Sequence, residues 1–227
     1  MTTFERVFVW LGGGVFVGSL AYCFWWFAVA LGMPRRAAGL PPLLFDVVLF
    51  SLFAAHHSVF AREPLKQWIA ATIRPELVRS VYVWIASLLL VAVCAFWRPV
   101  GGELFDNHGV SALLHAGLQL GGVWLIARAV ATIDPLELAG IRPPSQRSAL
   151  QVGGPYRLVR HPLYLGWILA TFGAAHMTGD RAAFAVITAA YLFAAVPFEE
   201  RSLVQSFGEA YTRYQRDVRW RIVPFIY

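Results

Sequence analysis

Long apolar stretches run through this chain, separated by short clusters of proline, glycine and arginine. Six of them, roughly 7–31, 43–60, 79–97, 110–132, 162–177 and 181–198, read as membrane spans, since a helix needs about 20 apolar residues to cross a bilayer. The breaks are Met33-Pro34-Arg35-Arg36, Pro41-Pro42, Arg98-Pro99-Val100-Gly101-Gly102, Pro143-Pro144 and Thr178-Gly179-Asp180-Arg181, all of them turn or helix-stop chemistry. The last two spans are short, and the turn at Thr178–Arg181 folds them into an antiparallel hairpin. Beyond them Leu203, Phe207, Tyr211, Tyr214 and Val218 recur every three or four residues, one face of a helix. That stretch predicts an amphipathic helix lying at the membrane interface. The predicted fold is therefore all-α: a polytopic membrane bundle of about six spans with a C-terminal interfacial helix.

Composition agrees. The chain is 58% hydrophobic with a mean hydropathy of +0.58, and 14% of it is charged, against about 25% in average soluble domains. Val7–Leu31 is too long for the apolar part of a signal peptide and holds Trp10, Trp25 and Trp26, so a retained first span is expected although Ala28-Val29-Ala30 loosely mimics a cleavage site. A net charge of +6 raises the question of nucleic acid. The basic residues sit in short loops between apolar stretches, and no nucleic-acid partner is expected. Arg62, Lys66, Arg74 and Arg79, then Arg142, Arg147, Arg157 and Arg160, fall on one side, and Arg35, Arg36, Arg98 and Arg181 on the other. That bias puts both termini in the cytoplasm. Cys23 and Cys94 lie inside apolar stretches, with neither a disulfide framework nor metal spacing, so no metal is expected.

The unusual segment is GGPYRLVRHPLYLGW, residues 153–167. Pro162 suits the first turn of a helix, and it pushes His161 toward extended geometry. The helix start would offer free N–H groups and a partial positive charge, with Arg157 and Arg160 just upstream. Gly166 allows a ligand or a neighbouring helix to come close. The hairpin returns Glu199 and Glu200 to the same end as Arg160, His161 and Tyr164. A positive, donor-rich half and a negative, acceptor-rich half suit a zwitterionic ligand with a ribose. S-adenosylmethionine has a carboxylate, an ammonium, a ribose and a sulfonium.

Each feature also has a plainer reading. The arginines anchor the membrane face, His161 caps a helix, the glutamates end one in solvent, and Tyr211 and Tyr214 belong to an interfacial belt. Within spans, Asp46, His56, His57 and Arg128 are candidates for function, and His57 is the candidate base on the acceptor side. His108, His115 and His176 sit at outer ends and read as structural. Two other function classes stay open: a haem or quinone protein using histidine pairs, and a small permease or assembly factor.

The stretches RHPLYLGW (160–167) and FEERSLVQSFGEAYTRYQRDVRWRIVP (198–224) together resemble the isoprenylcysteine carboxyl methyltransferase-like superfamily, which includes phospholipid methyltransferases. The resemblance covers about the last third of the chain. More loosely, residues 53–99 and 131–144 are similar to methanethiol S-methyltransferases and to membrane proteins associated with denitrification. The resemblance implies an S-adenosylmethionine-dependent methyltransferase taking its cofactor from the cytoplasm and a lipophilic or thiol acceptor from the bilayer. By that match Arg160, His161, Pro162, Tyr164 and Gly166 line the cofactor pocket, Glu199 and Glu200 form its acidic wall, and Tyr211, Tyr214, Arg219 and Arg221 close it. Residues 1–132 would then be scaffold and substrate access, and 133–227 the methyltransferase core. A thiol, an isoprenylcysteine-like carboxylate and a phospholipid amine remain open as acceptors.

Overall fold

The computed structural model describes residues 1–60, 68–69, 71–132, 135–142 and 150–227. Arg62, Lys66, Arg147 and Pro143-Pro144, used above for orientation and punctuation, lie outside the described residues. Among the described residues, five helices are long and apolar enough to cross a membrane. The chain divides into two units: Met1–Gly102 with Asp134–Gln146, and Glu103–Ile133 with Arg147–Tyr227.

The first unit holds α1 (Thr3–Trp25), which continues into a π-helical turn over Trp26–Ala30, α2 (Leu40–Phe60) and α3 (Pro75–Phe96). Thr2 and Glu5 cap α1 reciprocally: Thr2 Oγ accepts from the Glu5 N–H at 3.2 Å, and the Glu5 carboxylate accepts from the Thr2 N–H at 2.7 Å. This satisfies two donors that a helix start leaves orphaned. Trp84 of α3 lies over Gly12 of α1 and donates to the Phe8 carbonyl at 3.1 Å. Asp46 is fully buried, and its carboxylate accepts from the Arg98 N–H at 2.9 Å. Large apolar side chains such as Phe4, Trp10, Val17 and Phe24 stay exposed, as a lipid-facing belt requires.

The second unit contains β1 (Glu103–Asp106), α4 (Gly109–Val130), α6 (Pro162–Phe172), β2 (His176–Thr178), α7 (Gly179–Phe207) and α8 (Glu209–Asp217); the short α5 (Pro135–Leu138), between α4 and α6 in the chain, belongs to the first unit. Helices α4 and α6 approach backbone to backbone. A Cβ on Gly122 would sit 2.4 Å from the Ala170 nitrogen and 2.5 Å from the Gly166 oxygen, and one on Gly166 would sit 2.8 Å from the Gly122 oxygen. Leu125, Val159, Leu165, Val196 and Ile222 form the core around this contact.

Two expectations need correction. The fifth apolar stretch is helical only to Phe172, 11 residues, about 16 Å long and well short of a bilayer. From His176 to Thr178 the chain is extended and pairs antiparallel with β1, Asp106 opposite His176 and Glu103 opposite Thr178. The pairing supplies partners for backbone groups that the helix no longer satisfies. The amphipathic stretch is likewise two helices. Gly208 adopts φ +56°, a left-handed geometry that suits glycine, so Leu203 and Phe207 end α7 while Tyr211 and Tyr214 belong to α8. Their shared face survives the break, because all four pack in one cluster with Val218.

Gly122→Ala must push two backbones apart, at about 1–3 kcal/mol. The detergent-solubilised variant is expected to melt below the parent. Gly117→Ala, with nothing within 4 Å of the new methyl, is expected to melt at or above it, since alanine is the better helix former.

Candidate functional site

The site is built where the segment entering α6 meets the end of α7 and the turn after α8. The backbone sets the register. The Arg160 and His161 N–H groups donate to the Trp220 and Arg221 carbonyls at 2.9 and 2.8 Å. His161 takes an extended φ of −123° and Pro162 opens α6, as the proline dictates.

Arg160 is the hub. Its Nε donates to Glu200 at 2.6 Å, and its Nη1 donates to the Val218 and Arg219 carbonyls at 2.8 and 3.0 Å. Both partners of the ion pair are buried, their side chains 7% and 6% exposed. The second Glu200 oxygen takes Gln215 Nε2 and Arg221 Nε, each at 3.3 Å. Arg221 also donates to the Tyr227 hydroxyl at 3.0 Å, a contact that raises its pKa further.

Glu199 is held differently. It accepts from the Tyr164 hydroxyl and lies 3.5 Å from His161 Nδ1, and its side chain keeps 39% exposure. The imidazole stacks on the Tyr164 ring, centroids 5.3 Å apart, and its Nε2 sits 3.5 Å from Glu200.

Of these side chains Arg160, His161 and Glu199 border a cavity of about 290 Å³, which Leu150, Gln151, Tyr156, Leu203, Phe207, Tyr211 and Tyr214 complete. The Tyr214 hydroxyl donates to the Tyr156 carbonyl at 2.7 Å. Tyr211 is 2% exposed, and its hydroxyl has no hydrogen-bond partner; His161 Nε2 is likewise buried and unbonded. Burial and then the Glu200 carboxylate push the Tyr211 phenol up, and burial and then Tyr211 push up that of Tyr214, so both stay protonated. A second hollow of about 460 Å³ lies on the other side of Glu200, against Arg201, Gln205, Gln215 and Arg221.

Buried polar atoms are normally satisfied. The Tyr211 hydroxyl, on a residue that lines the cavity, is one unsatisfied atom, whereas His161 Nε2 is turned to Glu200. The cavity offers an occupant an accessible carboxylate, an imidazole, a phenol and aromatic walls, while the charge of Glu200 is already matched by Arg160 and Arg221.

The structure thus brings together Arg160, His161, Tyr164, Glu199, Glu200, Tyr211, Tyr214 and Arg221. Three other candidates stand differently. Pro162 is buried at the start of α6, Gly166 faces α4, and Arg219 contributes its carbonyl while its side chain is exposed. Arg157 is exposed. The opposed positive and negative walls expected from sequence become, for Arg160 and Glu200, one ion pair. Gln215 and Tyr156 escaped the sequence reading; Tyr156 stands in the GGPYRLVRHP stretch itself, and Gln215 directly follows Tyr214. His57 belongs to the first unit, where its Nδ1 lies 2.6 Å from the Tyr82 hydroxyl and Tyr82 also stacks on His56.

Comparison with known proteins points to one chemistry. The family model described as "Phospholipid methyltransferase" matches residues 112–210. Methanethiol S-methyltransferase 2 of Bradyrhizobium diazoefficiens is 37% identical over 185 residues, covering 78% of this chain and 71% of the relative. Methanethiol S-methyltransferase of Pseudomonas deceptionensis is 35% identical over 187 residues, with the same two shares. Nurim of Bos taurus is 28% identical, covering 72% of this chain and 69% of the relative.

An orphaned buried hydroxyl costs about 1–3 kcal/mol. Tyr211→Phe is therefore expected to raise the melting temperature of the ligand-free protein, and a fall on thermal denaturation would show that the hydroxyl is bonded after all.

Proposed function

The chain belongs to the family of integral membrane methyltransferases that includes the methanethiol S-methyltransferases, and from that premise we propose that it moves a methyl group from S-adenosylmethionine to a small thiol. The observation that supports the site assignment is a cavity lined by Arg160, His161, Glu199 and Tyr211, in which the buried Tyr211 hydroxyl lacks a hydrogen-bond partner. S-adenosylmethionine fits that donor set: its ammonium or ribose diol suits Glu199, and its acceptor atoms suit the Tyr211 hydroxyl. When bound, it supplies an electrophilic methyl on a sulfonium.

The protein's own residues then position and enclose. Arg160 and Glu200 fix the segment before α6 against α7, so that His161 faces the cavity and Tyr164 backs His161 and Glu199. Pro162 and Gly166 seat α6, and Arg221 and the Arg219 carbonyl close the clamp from the C-terminal segment. Held reactants at near-attack distance gain several kcal/mol over free encounter, and the aromatic walls keep water from the reacting atoms. The core from residue 133 onward carries the donor site, and residues 1–132 serve as scaffold and acceptor access. The positive-inside bias places the donor site and both termini on the cytoplasmic side.

A thiol is favoured over a lipid amine because the thiol-methylating relatives align over 78% of this chain, whereas the phospholipid family description rests on residues 112–210.

Purified protein given labelled S-adenosylmethionine and three acceptors (methanethiol, a prenylated cysteine carboxylate, a phospholipid amine) is expected to label the thiol; label on the lipid alone would contradict the thiol reading. By calorimetry, His161→Ala and Glu200→Ala should each weaken donor binding about tenfold or more, equivalent to about 1.4 kcal/mol. Unchanged affinity in both would remove the site assignment.

A further inference from the structure

Methylating a thiol releases a proton, and a neutral thiol is a poor nucleophile. Some group at the cavity must receive that proton. The ionisable side chains on the cavity wall differ sharply in their freedom to do so. Arg160 is a permanent cation. Glu200 lies behind that wall, with Arg160 on one oxygen and Arg221 and Gln215 on the other, so a proton would displace established partners. The Tyr211 and Tyr214 phenols are held protonated by their burial. His161 turns its two nitrogens to Glu199 and Glu200, each at 3.5 Å, so neither is directed at an acceptor in the cavity.

Glu199 has none of these restraints. No arginine touches it among the described residues. Its neighbours are the Tyr164 hydroxyl and His161 Nδ1, which orient the carboxylate. With 39% of its side chain exposed, against 7% for His161, it combines a place on the cavity wall with a more open path for the proton.

We infer that Glu199 is a catalytic residue, the general base that takes the proton from the thiol acceptor. This rests on the thiol reading above. The S–H bond breaks as its proton passes to a Glu199 oxygen, and the thiol sulfur's electron pair forms the new S–CH₃ bond. The bond from methyl to the sulfonium donor breaks, and its electron pair stays on the donor sulfur, which becomes a neutral thioether. Glu199 then gives the proton to water, and the positive charge of the sulfonium leaves as that proton. Tyr164 and His161 are positioning residues for this carboxylate.

The test compares an alkanethiol, protonated at neutral pH, with an aromatic thiol, largely ionised there and in no need of a base. General bases contribute about 10²–10⁴-fold. At saturating S-adenosylmethionine, Glu199→Gln is expected to lose about 100-fold or more in kcat on the alkanethiol and less than about fivefold on the aromatic thiol. Glu199→Asp, which keeps a carboxylate, is expected to recover most of the alkanethiol loss. Because Glu199 also borders the donor cavity, calorimetry with S-adenosylmethionine is run on both variants, and any loss of donor affinity is expected to be the same whichever thiol follows, so that saturation with donor removes it from the comparison of kcat values. Equal losses on both thiols, a donor-binding defect that accounts for the loss, or a thiol-dependent loss in His57→Gln in place of Glu199→Gln would overturn the assignment. Parent protein that methylates neither thiol would instead overturn the thiol reading, and this inference with it.

Discussion

The ion pair between Arg160 and Glu200 is the constraint on which the site depends. A carboxylate near the end of an apolar helix is tolerated only where an opposite charge and hydrogen-bond donors meet it. Glu200 finds both. Arg160 offers its planar fork to the carboxylate and to two backbone carbonyls at once, a geometry that the point charge of a lysine does not provide. Through this one side chain the approach to α6, the end of α7 and the turn after α8 are held in a single arrangement. The two backbone hydrogen bonds from residues 160 and 161 to 220 and 221 place the arginine where it can do this.

The same clamp separates two adjacent carboxylates into different roles. Glu200 is buried and matched by cations, so it shapes the cavity. Glu199, one residue earlier on α7, is more exposed and has the Tyr164 hydroxyl and His161 as neighbours in place of arginines, which suits the part proposed for it. Tyr211 and Tyr214, kept protonated by burial, add hydroxyls and aromatic surface without adding charge. The lining therefore suits a cationic donor whose charge disappears when its methyl leaves.

Much of this was readable in the residues, and the misses have physical causes. Hydropathy located the spans because lipid demands long apolar helices. It placed the fifth too far, since hydropathy does not tell the end of a helix from the strand that His176–Thr178 forms against Glu103–Asp106. The spacing from Leu203 to Val218 read as one helix because the Gly208 break keeps the same face inward. Arg160, His161, Glu199 and Glu200 were found together because a hairpin must return its ends to one place. Pairing is a different matter: sequence placed Arg160 and Glu200 on opposite walls, and only the structure joins them. Gly166 announced a close approach but not its partner, which is α4. Gln215 and Tyr156 carry no charge to draw attention, and their parts depend on where their amide and carbonyl fall.

A double-mutant cycle on donor affinity tests the central clamp most directly. Calorimetry with S-adenosylmethionine would be run on the parent, Arg160→Gln, Glu200→Gln and the pair. If the two residues act as one unit, each single change weakens binding and the double change is no worse than either, giving a coupling energy of about 2 kcal/mol. Losses that simply add would mean that Arg160 and Glu200 meet the donor separately, and would contradict the account.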